Sequence, residues 1–376
     1  MRIAFAPATV MKGKKRGADG MNKRYIGLDL FRVIAAIIVC MFHTWYHLGA
    51  SYGILTGVVA MGPVFMTAFF MLSGFCIYLN YSGCEMMKKD NLFGFYKKRI
   101  LALLPLFVFV SAVDMIFVSR YDIKKTLLLL PTSIFCISTN FSSLFTYVEW
   151  FVPCIMMCYL IYPLLQEIVT QLTAKAKTAL GLVLAFILFL SPFLEHEFQL
   201  AGLYDNTFIR ILEFSLGVLA AAWKEKLDTV SWVKKLCFNK LFVTAVFGGL
   251  AFVLWFGYNR QIAPSQYILY DWAAVPCFTV ILISLSNIRF NWLEKSSLFR
   301  IFVENSYAFY LAQCFSSTIS KAVIAYYGVS HNGVILLIGW ICCLILTVLL
   351  HYLVEKPAKH LLMGKGFPKV PGSHKG

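Results

Sequence analysis

The first apolar segment of the chain carries charged and titratable side chains at helical spacing. Asp29 and Arg32 are three residues apart, so a helix would let them pair on one face. His43 follows Arg32 by eleven residues, about three turns, and His47 lies one turn further. Arg32 and His43 would then share a face, roughly 16 Å apart along the axis. Because ionisable side chains within apolar spans are costly unless they face a cavity or a partner, each is a candidate functional group.

A guanidinium and an imidazole along one path suggest a bound anion with a reactive group at its far end. Arg32 would hold the anionic end, and His43 would act as general base near neutral pH. Other interpretations stay open: Arg32 only pairs with Asp29 and reaches the interface, or His43 is a hydrogen-bonding group between packed helices. A His43/His47 metal site has suitable spacing, but no acidic or cysteine third ligand is evident from the spacing, so we expect no metal.

The composition indicates what kind of element must hold these residues. The chain has 376 residues, of which 60% are hydrophobic and 14% charged, and its mean hydropathy is +0.73. Average soluble chains are roughly 45–50% apolar and about 25% charged. The composition excludes a soluble enzyme, a disordered chain and a disulfide scaffold. It predicts an all-α fold, a polytopic integral membrane bundle.

Ten apolar segments follow one another, each near the ~20 residues that cross the hydrocarbon core. They lie at 26–48, 57–80, 100–118, 148–168, 178–195, 208–223, 241–258, 268–287, 304–325 and 332–354. The transmembrane domain is therefore expected at 26–357, between basic tails at 1–25 and 358–376.

The net charge of +16 would suggest nucleic acid in a soluble domain, but in a membrane protein the cations mark topology. With the N-terminus in the cytoplasm, 27 of the 34 Lys and Arg residues fall on the inner side and 4 on the outer. This bias predicts ten transmembrane helices with both termini cytoplasmic, and no nucleic-acid partner.

Short motifs recur in a fixed order along the chain. The first reads Gly27-Leu-Asp29-Leu-Phe-Arg32, followed after ten residues by His43. The others, in chain order, are Phe69-Phe-Met-Leu-Ser73-Gly74-Phe75, Phe95-Tyr-Lys97-Lys98-Arg99, Trp150-Phe-Val-Pro153, Phe214-Ser-Leu-Gly217, Asn305-Ser306-Tyr307-Ala-Phe-Tyr310-Leu311 and Glu355-Lys356-Pro357. The ordered set, from about 25 to 360, resembles membrane-bound acyltransferase family 3, the O-acetyltransferase-like integral membrane acyltransferases.

The resemblance implies transfer of an acyl group, usually acetyl, from cytoplasmic acyl-CoA to a hydroxyl of a cell-envelope polysaccharide or glycolipid. It implies a multi-pass protein of the cell membrane, the plasma membrane in bacteria. It makes Arg32 and His43 the essential pair, and a pantetheine arm has about the length that separates them.

The expected donor site includes the basic run Lys97, Lys98 and Arg99, placed at the end of an inner loop. These residues could cradle the coenzyme A phosphates, or they could only mark the inner side. The family often has a second arginine three residues after the first, where this chain has Ala102. This chain therefore lacks the second arginine of that phosphate-binding pair.

The expected acceptor contacts are Glu149, Trp150, Tyr307, His47 and Ser73. Each has a plainer alternative: Glu149 and Trp150 as interfacial residues, Ser73 as a small residue that lets helices approach, Tyr307 as packing.

Three further predictions concern one single residue and two pairs of residues. Where the family often has a histidine after the Tyr310 motif, this chain has Gln313, whose amide can position a group but cannot act as a base. Arg210 and Glu213 are expected to pair, and so are the neighbours Glu355 and Lys356.

A function of a different class stays open as well: a transporter of a polysaccharide or lipid-linked glycan, with polar residues lining a path through the bundle.

Overall fold

The computed structural model describes residues 24–118, 120, 123–124, 150–198, 202–262 and 267–363. These residues contain helices and no strands, as the composition predicts.

Ten helices of 15 or more residues lie in the described part of the chain, one at each predicted segment. They are α1 (Ile26–Leu48), α2 (Phe65–Tyr81), α3 (Lys89–Val113), α4 (Phe151–Gln171), α5 (Ala174–Glu197), α6 (Thr207–Leu227), α7 (Lys240–Asn259), α8 (Asp271–Leu285), α9 (Ser297–Tyr327) and α10 (Asn332–Leu349). Seven described helices are long and apolar enough to cross a membrane; α6, α8 and α9 are not among them. Ten crossings and cytoplasmic termini stay predictions.

Two helices begin well before their predicted segments. α3 starts at Lys89 and α9 at Ser297, so the basic run Lys97–Arg99 lies inside a helix and not at the end of a loop. Hydropathy detects the part of a helix that contacts lipid, whereas polar residues at its aqueous end continue the same backbone hydrogen bonding.

The centre of the bundle is α2, which is buried on nearly all sides and packs closely on α6. A Cβ atom at Gly74 would lie 2.1 Å from the carbonyl oxygen of Phe214, and one at Gly217 would lie 2.0 Å from that of Met71. Only glycine fits at such distances, and small residues at crossings are typical of membrane helices. The packing role expected for this motif is confirmed at Gly74.

Candidate functional site

One face of α1 supplies the candidate site. Asp29, Arg32, Ala36, Cys40 and His43 are all buried, at intervals of three and four residues. This spacing follows a single helical stripe, so the predicted shared face of Arg32 and His43 is confirmed.

Arg32 is held by a carboxylate while it also borders an opening in the bundle. Its Nη1 donates to Oδ1 of Asp29 at 3.0 Å, and Nε of Arg24 donates to Oδ2 of the same carboxylate at 2.7 Å. Only 2% of the Arg32 surface is exposed. The predicted pairing with Asp29 is present, and it does not remove Arg32 from the interior.

The donor hollow, as we name the first opening, is lined by residues from α1 to α4. Its lining consists of Arg32, Phe69, Leu72, Ser73, Leu103, Phe151, Ile155 and Tyr159. It encloses about 280 Å³ of unfilled space, the opening included.

Tyr159 is the residue that sequence reasoning missed in this hollow. Its hydroxyl lies 2.9 Å from Oγ of Ser73, and its ring lies under the guanidinium of Arg99, 5.4 Å from Cζ to the ring centroid. Tyr159 therefore links the two predicted site residues Ser73 and Arg99 to the hollow that Arg32 borders. A tyrosine within an apolar run carries no sequence signal of such a role.

The basic run does not form one cradle. Arg99 is 1% exposed and packs among aromatic rings, whereas Lys98 is half-buried and Lys97 is exposed. Consecutive helical residues are 100° apart, which turns the first and third of the run to different faces. Of the three predicted phosphate ligands, the structure brings only Arg99 toward the donor hollow.

The acceptor hollow, as we name the second opening, lies between α1, α9 and α10. Its lining consists of Cys40, His43, Thr44, Leu48, Gln313, Ser316, Ser317, Ser320 and Gly339. It encloses about 190 Å³ of unfilled space, the opening included. The imidazole of His43 stacks on that of His47, with ring centroids 5.5 Å apart and an interplanar angle of 2°.

Tyr52 contacts the lining of the acceptor hollow at Thr44. Its hydroxyl donates to Oγ1 of Thr44 and accepts from Nε1 of Trp340, the latter at 3.1 Å. Burial raises the pKa of Tyr52, so the phenol stays neutral and remains a hydrogen-bond donor at physiological pH.

The two hollows share no lining residue, so the single path expected along α1 is divided in this structure. Tyr310 packs against the wall of the donor hollow. Its ring centroid is 5.1 Å from that of Phe151 and 6.5 Å from that of Phe69, and both phenylalanines line the donor hollow. Gln313, one turn further along α9, lines the acceptor hollow.

Two of the expected acceptor contacts lie elsewhere. Trp150 packs on Phe70 and Tyr204 and does not line either hollow. The hydroxyl of Tyr307 donates to the carbonyl of Leu103 at 2.8 Å, which ties α9 to α3.

Glu149 lies outside the described residues. Among those residues, no group of three or more His, Cys, Asp or Glu side chains is arranged to hold a metal ion.

A second buried charge cluster lies away from both hollows. Nη1 of Arg210 donates to Oε1 of Glu213 at 2.6 Å, which confirms the predicted pair. Thr67 links a further carboxylate to it, because its Oγ1 lies 3.2 Å from Oε1 of Glu213 and 2.9 Å from Oδ1 of Asp271. The cluster joins α2, α6 and α8 in the interior of the bundle.

The fold and these hollows define a polytopic helical membrane protein with a guanidinium and an imidazole buried along its first helix. The family model described as an acyltransferase domain matches residues 25–356. The chain therefore belongs to membrane-bound acyltransferase family 3. Comparisons with curated proteins and with solved structures gave no match. The family match favours acyl transfer over the transport alternative.

Proposed function

We propose that this protein transfers an acyl group, acetyl in the first instance, from cytoplasmic acyl-CoA to a hydroxyl of a cell-envelope polysaccharide or glycolipid. The observation that carries the proposal is the placement of Arg32 and His43 on one buried stripe of α1, each lining a hollow, in a chain of the acyltransferase family.

The donor enters at the donor hollow. Coenzyme A is polyanionic, and guanidinium groups are well suited to bind its phosphates. Arg32 and Arg99 are the two arginines near Tyr159. For the thioester to reach His43, the ring of Tyr310 moves aside from Phe69 and Phe151.

The chemistry takes place at the acceptor hollow. The acceptor oxygen attacks the thioester carbonyl carbon while the imidazole of His43 takes the hydroxyl proton. The tetrahedral intermediate collapses, the C–S bond breaks, and the coenzyme A thiolate takes the proton back from the imidazolium. The products are an ester and free coenzyme A. Holding both reactants in one cavity supplies the orientational part of the rate gain.

Donor binding is tested with acetyl-CoA and purified protein. Acetyl-CoA is expected to raise the melting temperature of the wild type, and Arg32→Ala is expected to lose that shift. Arg300→Ala, at an exposed position, is the matched control and should keep it. If no acetyl-, succinyl- or longer acyl-CoA stabilises the wild type, the donor assignment is wrong.

Transfer is tested with membranes and radiolabelled acetyl-CoA. His43→Ala is expected to lower incorporation of label into envelope material by roughly 10²–10⁴-fold, the usual contribution of general base catalysis. His331→Ala, at an exposed residue before α10, should retain activity. Near-normal incorporation by correctly inserted His43→Ala would refute the general-base role. Mass spectrometry of envelope glycans with and without the protein then identifies the acceptor.

A further inference from the structure

Gln313 is a buried amide at the wall of the acceptor hollow. It is 2% exposed, and neither its Oε1 nor its Nε2 has a hydrogen-bond partner in the described part of the chain. The side chain lines the acceptor hollow together with His43, whose buried Nδ1 also has no partner among the described residues.

Two of the neighbouring hydroxyls of the hollow are occupied differently. Oγ1 of Thr44 donates to the carbonyl of Met41 at 2.8 Å, and Oγ of Ser316 lies 3.4 Å from the carbonyl of Gln313. These side chains return their hydrogen bonds to the backbone of their own helices. The open donor and acceptor atoms of Gln313 and His43 therefore lie in the wall of one cavity, together with the buried Oγ of Ser320.

Burying a polar group without a partner destabilises a protein, and native structures seldom retain one without a reason. A primary amide offers two N–H donors and a carbonyl acceptor. The group that satisfies an amide and an unprotonated imidazole together carries an oxygen acceptor and a hydroxyl donor side by side. A thioester carbonyl with an attacking hydroxyl has this chemistry.

We propose, as a consequence that rests on the proposed function, that Gln313 is a catalytic residue that binds the reacting carbonyl oxygen. Its Nε2 donates to the thioester oxygen, while His43 takes the proton of the acceptor hydroxyl. As the C–O bond forms, the carbonyl electron pair moves onto the oxygen that Gln313 holds. It returns when the C–S bond breaks, and the coenzyme A thiolate leaves with the proton from His43.

Donors of this kind act mainly in the transition state, because the oxygen gains its negative charge there. Loss of one such donor lowers kcat by roughly 10²–10³-fold in enzymes with a preformed oxyanion site. The half-saturating acetyl-CoA concentration should change little, because the ground-state carbonyl is a weak acceptor.

The matched control is Gln166, a second buried glutamine, whose Nε2 donates to the carbonyls of Tyr81 at 2.7 Å and Cys84 at 3.0 Å. The experiment compares Gln313→Leu and Gln166→Leu in two measurements: melting temperature without ligand, and acetyl transfer from acetyl-CoA in membranes, per folded molecule. Gln313→Leu should raise the melting temperature by about 2–4 °C, because it removes an unsatisfied polar group. It should lower kcat roughly 10²-fold or more.

Gln166→Leu should show the opposite pattern, with a lower melting temperature and an unchanged kcat. Gln313→His, which restores a buried N–H donor, should recover part of the lost kcat. A fall in the melting temperature of Gln313→Leu would overturn the inference, because the amide would then be satisfied within the protein. An unchanged kcat would overturn it as well.

The two proposals fail in different ways. If the wild type transfers no label from any acyl-CoA, the proposed function is wrong and the catalytic role of Gln313 falls with it. If the wild type is active and Gln313→Leu has the same kcat and melting temperature as the wild type, only the inference about Gln313 is wrong.

Discussion

Buried guanidinium groups recur in this bundle, and the surroundings of each suggest a different task. Arg32 shares the carboxylate of Asp29 with Arg24 and borders a hollow. Arg99 packs on aromatic rings, which attract a cation without neutralising it. Arg210, in contrast, lies in a pair with Glu213 away from both hollows, which indicates a structural role.

The structural role of Arg210 gives a prediction at the scale of single residues. Arg210→Met leaves Glu213 as a buried carboxylate without its cation, and breaking a buried pair in this way costs about 3–5 kcal/mol. We expect a clear drop in melting temperature in detergent. The double variant Arg210→Met/Glu213→Gln removes the uncompensated carboxylate and should recover part of the loss. An unchanged melting temperature of Arg210→Met would show that the cluster contributes nothing to stability.

At the scale of elements, the contact between α2 and α6 fixes the geometry of the donor hollow. Ser73 lies next to Gly74, so the same crossing that brings α6 against α2 also sets the position of the serine that contacts Tyr159. Close backbone approach at glycine is a common way to lock membrane helices at one angle.

Gly217→Ala tests this contact. Its Cβ would lie 2.0 Å from the backbone oxygen of Met71, which cannot move without shifting α2. We expect a loss of about 1–3 kcal/mol in the free energy of unfolding, the typical cost of overpacking. The measurement is thermal unfolding in detergent.

Gly248→Ala is the matched control, because among the described residues no atom beyond its own turn of helix lies within 4 Å of its added Cβ. An alanine in an open helical position should be neutral or stabilise by about 0.5–1 kcal/mol. If Gly217→Ala and Gly248→Ala lost equal free energies of unfolding, the α2–α6 crossing would not be tight.

At the scale of the whole molecule, the distribution of cations predicts how the bundle is inserted. The 27-to-4 bias of Lys and Arg assigns the N-terminal end of α1, and therefore Arg32, to the cytoplasmic side. Coenzyme A thioesters would then meet the guanidinium first, and the imidazole would face the envelope. The predicted orientation and the proposed chemistry agree on one direction of transfer.

Reporter fusions test the orientation. At both termini, only a reporter that works in the cytoplasm should be active. Near Arg120, only a reporter that works on the outer side of the membrane should be active. The physical reason is the cost of translocating short positively charged loops. Termini on opposite sides would contradict ten crossings and would require a different pairing of segments.

Much of this protein follows from local sequence. The apolar segments, their lengths and the charge bias are enough to predict a helical membrane protein. The shared face of Arg32 and His43 and the Arg210–Glu213 pair follow from the spacing of residues on one helix. Such predictions succeed because helical geometry is the same whatever surrounds it.

Helical geometry also explains why the predicted pair of Glu355 and Lys356 is wrong. Glu355 does not pair with its neighbour Lys356, because adjacent helical residues point about 100° apart. Its carboxylate pairs with His351 at 2.7 Å and with Lys359, both four residues away, while Lys356 lies over the ring of Tyr352.

Only the tertiary structure decided which helices meet. It placed Tyr159 beside Ser73, added Asp271 to the Arg210 cluster, and brought Gln313 to the same cavity as His43. It also divided the expected path into two hollows. The spacing of residues on one helix fixes their relative direction, but contacts between helices depend on how all the side chains of the bundle fill space together, and no local pattern in the sequence records that.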